Sequence, residues 1–113
     1  MAKLITNEEI RYLICGALEG GSDYWYRRLR IKREGDCTPD TPYYDAPLLG
    51  GHLLIIDDEG HRHILDKVAI ERGLSTLSKK YPWHYKDFKQ DRWDCETADA
   101  FLQCSVFGDI VYG

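Results

Sequence analysis

A pair of glycines, Gly20 and Gly21, lies near the start of the chain between a segment with the pattern of a helix and a segment with the pattern of a strand. Before the pair, apolar residues recur at the spacing of an amphipathic helix, and Thr6 with Glu9 supplies a capping box at its start. After the pair, residues 23–32 are rich in aromatic and branched side chains, which favours a strand. The sequence therefore predicts a helix, a sharp turn and then a strand.

The middle of the chain predicts a loop and a hairpin. Residues 34–49 hold three of the prolines together with Gly, Asp and Thr, which indicates a long irregular loop. An apolar run at 52–56 is followed by the turn-rich sequence Asp-Asp-Glu-Gly, and residues 61–65 can return antiparallel.

Two further helices are expected in the C-terminal half. Asp66 is placed to cap a helix that runs to about residue 80, and Asp94 or Cys95 to cap one that ends at Gly108. Residues 83–93 show no clear period, so their structure is left open. The apolar tail 110–112 is expected to add an edge strand or to pack into a partner subunit. The predicted fold class is α+β, with about three helices packed on a small, mainly antiparallel sheet.

Composition limits the domain count and the classes of partner. A chain of 113 residues with 43% hydrophobic residues can build one core, so we predict a single domain over residues 1–113. A net charge of -4 argues against a long nucleic acid as ligand. No run approaches a signal peptide or a membrane span, so we expect a cytoplasmic protein with no membrane partner and with its four cysteines as thiols.

The segment 24–32 carries the candidate ligand site, because regular alternation would give it two different faces. The core-like face would carry Trp25, Arg27, Leu29 and Ile31. The other face would carry Tyr24, Tyr26, Arg28, Arg30 and Lys32.

Aromatic rings stack on bases, and arginine forks bind phosphates through two parallel hydrogen bonds. Tyr24 and Tyr26 are therefore stacking candidates, while Arg28 and Arg30 are phosphate candidates for a small anionic nucleotide. Arg27 takes their place if the register shifts by one residue. The alternative interpretation is structural: the arginines pair with acidic neighbours or solvate an exposed face.

The sequence signals for a catalytic or metal site are weaker than those for the ligand site. His61 and His63 would share one strand face near Asp57, as a metal site or general base would require, or as two outward polar side chains. No cofactor and no catalytic residue is predicted. A second basic and aromatic group could extend the ligand site or solvate the surface; it comprises His84, Tyr85, Lys86 and Lys89.

Both ends of the chain carry one resemblance. Its N-terminal part is Leu18-Glu19-Gly20-Gly21 with Tyr24-Trp25-Tyr26-Arg27-Arg28, and its C-terminal part is Thr97-Ala98-Asp99, Leu102-Gln103, Phe107-Gly108 and Ile110-Val111-Tyr112-Gly113. This pattern resembles small proteins encoded by tailed bacteriophages. The resemblance leaves the middle of the chain uncovered and carries over no catalytic residues.

The resemblance implies a phage protein in the infected host cell that counters host defence. It leads us to expect a non-catalytic, homo-oligomeric sponge for a phosphorylated immune signal of cyclic nucleotide or cyclic ADP-ribose type. The first alternative is an inhibitor of a host defence protein that uses its acidic surface and the loop 34–49. The second is a metal-dependent phosphoesterase that uses His61, His63 and Asp57.

Overall fold

The computed structural model describes residues 5–89 and 94–113. Within them the chain forms four α-helices and a three-stranded antiparallel sheet, which confirms the α+β class with one helix more than predicted. The helices are α1 (Asn7–Gly16), α2 (Lys67–Lys80), α3 (Pro82–Lys89) and α4 (Cys95–Phe107), and the strands are β1 (Tyr26–Lys32), β2 (His52–Asp57) and β3 (Arg62–Leu65).

The start of α1 is fixed by the predicted capping box. The Thr6 hydroxyl accepts a hydrogen bond from the Glu9 N–H at 3.1 Å, and the Glu9 carboxylate accepts one from the Thr6 N–H at 2.9 Å. After α1 the chain makes a π-helical turn over Ala17–Gly21. A Cβ on Gly21 would lie 2.3 Å from the Cys95 carbonyl oxygen, so only glycine lets this turn approach α4.

The caps of α2 and α4 also lie where the sequence predicts them. Asp66 accepts a hydrogen bond from the Ala69 N–H at 2.8 Å, and Asp94 accepts them from the N–H groups of Glu96 and Thr97. α4 ends at Gly108, which adopts the left-handed conformation with φ 82°.

The hydrophobic core is built around α4, which is buried from Thr97 to Ser105. α2 packs closely on it, because a Cβ on Gly73 would lie 1.9 Å from Ser105 Oγ. Gly73 is therefore the residue that lets the two helices touch. Leu53, Ile55 and Leu65 on the inner face of the sheet complete the same core.

Three segments differ from expectation or were left open. Residues 83–89, left open by the sequence, belong to α3, and the open residues 90–93 lie outside the described part of the chain. The loop 34–49 is irregular except for a 3-10 turn at Ala46–Leu48. The expectation of an edge strand at 110–112 is wrong, because the tail packs without strand pairing over the aromatic core.

Among the described residues, no helix combines the length and apolar character that crossing a bilayer requires.

Candidate functional site

A β-bulge at Arg27 divides the predicted ligand segment. Tyr26 pairs with Asp57 and Arg28 with Ile56, so Arg27 is an extra residue without a partner across the ladder. The bulge turns Tyr26 towards the core, whereas Arg28 points to the opposite face. The prediction of one face shared by Tyr26, Arg28 and Arg30 is therefore wrong, and Arg27 is exposed instead of facing the core.

The two predicted stacking residues are both held by the protein itself. Tyr26 is half-buried, and its hydroxyl donates to the carbonyl oxygen of Leu18. Tyr24 precedes β1, and its hydroxyl donates to the Asp99 carboxylate at 2.6 Å. Tyr24 nevertheless stays 46% exposed.

The outer face of the sheet brings the predicted phosphate residues together with other cations. Arg28, Ile56 and Arg62 lie side by side across the three strands, and the next row holds Arg30, Leu54 and Ile64. Lys32 lies beside His52 in a third row. The outer sheet face, as the term is used below, consists of Arg28, Arg30, Lys32, His52, Leu54, Ile56, Arg62 and Ile64.

The cations of the outer sheet face are exposed and unpaired. The side chains of Arg28, Arg30, Lys32 and Arg62 make no hydrogen bond or ion pair with another residue that the structure describes. No carboxylate lies in these three rows. The whole chain carries a net charge of -4. Because the outer sheet face is positive, the rest of the protein carries a net charge more negative than this value. The outer sheet face is thus a local positive patch on an acidic protein.

Strand geometry sets the spacing of these charges. Arg28 and Arg30 are two residues apart on one strand, about 7 Å, and Arg28 and Arg62 are two strands apart, about 10 Å. Leu54 and Ile56 are partly exposed in the gap between them, and Ile64 is 44% exposed. One phosphate group cannot reach all these positions, whereas a ligand with two or more anionic groups around a planar or apolar body can.

A buried carboxylate, Asp99, holds the N-terminal turn against α4. It accepts hydrogen bonds from Ser22 Oγ at 2.7 Å, Trp25 Nε1 at 2.8 Å, the Tyr24 hydroxyl at 2.6 Å and Gln103 Nε2 at 3.1 Å. Burial, then the hydrogen bond to Asp99, raises the pKa of Tyr24 to about 12. The predicted stacking role of Tyr24 thus competes with a structural one.

The C-terminal tail is bound by the same cluster. Gln103 Oε1 accepts from the backbone N–H groups of Val111 and Tyr112, each at 2.7 Å. The Tyr112 ring stacks on Trp25 with centroids 5.5 Å apart. The two end segments that carry the resemblance therefore meet around Asp99.

A pocket of about 540 Å³ opens at this meeting point. The turn Ala17–Gly21, the first half of α4 and the tail form its walls, and His84 of α3 borders it. His84, a member of the second basic and aromatic group, thus borders this pocket. It does not extend the outer sheet face, because α3 packs on α2 and α4.

The two hairpin histidines both lie beside Asp57, as the sequence predicts, and His61 Nδ1 is 3.6 Å from its carboxylate. His61 lies in the turn, whereas His63 on β3 is only 17% exposed and its Nε2 lies 2.9 Å from the Asp57 carboxylate. The interpretation of two outward polar side chains is therefore wrong for His63. Burial works to raise the pKa of Asp57, but the hydrogen bonds from His63 and from the backbone of His61 and Glu59 outweigh it and lower the pKa.

This arrangement serves the hairpin. Asp57 is 3% exposed and ties the turn to β3, and the His63 ring packs edge-on against Phe107 with centroids 4.6 Å apart. Within residues 5–89 and 94–113 no group of three or more His, Cys, Asp or Glu side chains is placed to hold a metal ion.

Sequence reasoning missed Asp99, Gln103 and Arg62. Asp99 and Gln103 interrupt the apolar face of a helix that proved to be buried, and such polar residues require partners. Arg62 belongs to the positive patch only through the strand pairing, which aligns it with Arg28.

Comparison of the chain with protein-family models, with curated proteins and with solved structures gave no match.

Proposed function

We propose that this is a phage-encoded anti-defence protein that binds and sequesters a small phosphorylated nucleotide without cleaving it. The observation that supports the proposal is the outer sheet face, where four unpaired cations surround a partly exposed apolar strip with no carboxylate among them. The ligand class is a cyclic nucleotide or cyclic ADP-ribose type signal with two phosphate groups.

Each part of such a ligand has a matching part of the face. Arginine forks on both edge strands bind phosphates 7–10 Å apart, a distance set by about two strand residues or two strand spacings. Leu54 and Ile56 offer the base an apolar surface, and the guanidinium planes can stack on it. The residues assigned to the phosphates and the base, namely Arg28, Arg30, Arg62, Leu54 and Ile56, include no nucleophile or general base, which fits retention without cleavage.

One flat face leaves half of the ligand in water, and tight small-molecule sites bury most of their ligand. We therefore propose that a second copy of the chain covers the ligand. Two outer sheet faces repel each other while they are empty, because both are positive. The ligand's phosphates lie between the two faces and lower this repulsion, so binding and dimerisation should occur together, with two chains for each ligand.

Titration calorimetry with a panel of cyclic mono- and dinucleotides and cyclic ADP-ribose tests the proposal. The double variant Arg28→Gln/Arg30→Gln should weaken the best ligand about 30-fold, at about 1 kcal/mol for each exposed charge-assisted contact. The matched control Lys67→Gln/Lys79→Gln removes two exposed charges from α2 and should bind like wild type. The proposal would be refuted by an equal loss of affinity in the two double variants. It would also be refuted if the wild-type protein bound no ligand of the panel.

The second candidate is an inhibitor of a host defence protein, which the flatness of the outer sheet face favours. An apolar centre within a rim of arginines is typical of protein interfaces. Since the rim is positive, the partner would present an acidic surface. A pull-down from host lysate separates the two candidates, because a retained stoichiometric protein indicates the inhibitor and a heat-released nucleotide indicates the sponge.

A further inference from the structure

The pocket between the two ends of the chain has a chemistry opposite to that of the outer sheet face. Its polar lining includes Tyr24, His84, Glu96, Asp99, Gln103 and Tyr112. No lysine or arginine is among the described residues that line it, whereas two carboxylates are. The pocket is therefore a negative cavity on an acidic protein.

At the end of α4 that borders this cavity, two backbone N–H groups are already engaged within the chain. The N–H groups of Glu96 and Thr97 already donate to Asp94 at 3.0 and 3.2 Å. The Gln103 side-chain N–H groups donate to Asp99, to the Tyr24 hydroxyl and to the Tyr112 carbonyl. The usual anion site at a helix start is thus occupied by the chain itself.

A cation, in contrast, meets both a free carboxylate and an aromatic ring. Glu96 is exposed and lines the same pocket as Tyr24. The hydroxyl of Tyr24 is fixed between Asp99 and Gln103, so its half-exposed ring is held in one orientation. A rigid aromatic face beside a carboxylate is a common way to bind ammonium groups.

We propose that this pocket binds a compact organic cation, namely a protonated amine with a short apolar body. Glu96 is the direct ionic partner, because the Asp99 oxygens already accept four hydrogen bonds and contribute their charge from behind. Ala100 and Ile110 contact the apolar body. This site is independent of the proposed nucleotide function, since it lies elsewhere and selects the opposite charge.

Three probes with the same four-carbon body test the charge selection: n-butylammonium, 1-butanol and butyrate, at constant ionic strength. The readout is the backbone amide resonances of Gly20, Gly21 and Gly113, which line the pocket and report binding without catalysis or any nucleotide. We expect saturable shifts with butylammonium only, with a dissociation constant of about 1–10 mM for so small a probe. Equal shifts with 1-butanol, or no shift at about 100 mM butylammonium, overturn the proposal.

Two variant pairs test the roles of the residues. Glu96→Gln should weaken butylammonium binding about fivefold, whereas the exposed control Glu71→Gln on α2 should leave it unchanged. Tyr24→Phe keeps the ring but loses the hydroxyl that fixes it, so it should bind more weakly than wild type and more tightly than Tyr24→Leu, which should lose several-fold. Equal losses of butylammonium binding in the two Tyr24 variants would contradict the role of the ring. Unchanged binding in Glu96→Gln would contradict the role of the carboxylate.

Discussion

Replacing Asp99 by alanine tests how the two ends of the chain are held together. The carboxylate accepts four hydrogen bonds, and three of its donors, on Ser22, Trp25 and Gln103, belong to residues that are at most 1% exposed. Alanine would leave the donors of Ser22 and Trp25 without an acceptor in a site that water enters poorly, whereas Gln103 keeps the Tyr24 hydroxyl and the Tyr112 carbonyl as acceptors. Such orphaned donors cost more than the net value of the hydrogen bonds they lose.

The magnitude follows from the number of buried donors. At about 1–3 kcal/mol for each unsatisfied group and with partial relaxation, Asp99→Ala should lower the free energy of unfolding by about 3–5 kcal/mol. Asp99→Asn keeps one acceptor oxygen for Ser22 and Trp25, so its cost should be about half as large. The free energy of unfolding of a small domain is about 5–15 kcal/mol in total. The alanine variant should therefore be only marginally stable.

Urea denaturation followed by tryptophan fluorescence measures the difference directly, because Trp25 lies in the cluster. Glu71→Ala on the exposed surface of α2 is the control, with an expected change within about 0.5 kcal/mol. An Asp99→Ala variant as stable as this control would refute the structural role of the carboxylate.

Three further outcomes follow from the packing and the titrating groups. Gly73→Ala should destabilise the protein by about 1–3 kcal/mol despite its better helix propensity, because its Cβ would lie 1.9 Å from Ser105 Oγ; a thermal midpoint at or above wild type would contradict this. The lowered pKa of Asp57 means that its stabilisation is present above the ordinary carboxyl pKa and is lost as the pH falls through the lowered one. The destabilisation caused by Asp57→Asn should therefore shrink on acidification, and a constant difference in unfolding free energy down to about pH 2 would count against the carboxylate's role. The pKa of Tyr24 is raised to about 12, so this tyrosine should ionise at higher pH than an ordinary tyrosine. In an ultraviolet absorbance titration, Tyr24→Phe should therefore remove absorbance from the part of the curve near pH 12 and leave the part near pH 10 unchanged.

Local signals predicted the elements whose boundaries depend on neighbouring residues. The capping box at Thr6, the cap at Asp66 and the left-handed end at Gly108 all lie within one helical turn of the groups they satisfy. The hairpin likewise depended on a short turn between two runs of strand-forming residues. These features needed no knowledge of the rest of the chain.

The bulge at Arg27 and the Asp99 cluster could not be derived in the same way. The bulge lets Tyr26 turn to the core while Arg28 faces outward, and Tyr26 reaches the Leu18 carbonyl there, which depends on how the N-terminal turn and the sheet are packed. Asp99 finds its partners on Ser22 and Trp25, 77 and 74 residues away in sequence. Contacts over such separations are set by the tertiary fold and leave no periodic signal.

The same limit explains what changed in the candidate site. Alternation identified Arg28 and Arg30 as members of one face, and this part of the prediction agrees with their exposed positions on β1. Tyr26 lies off that face because of the bulge, and Tyr24 lies off it because it belongs to the turn before β1. Arg62 joined it through pairing across β2, which sequence spacing alone does not specify.

Amide chemical-shift mapping of the isotope-labelled protein with a cyclic dinucleotide is the most direct test of the central claim. We predict that the largest shifts fall on the outer sheet face, at Arg28, Arg30, Leu54 and Arg62, and that they saturate at one ligand for two chains. Shifts confined to the pocket around Asp99, or no shifts at high protein concentration, would contradict the assignment of the outer sheet face as the ligand site.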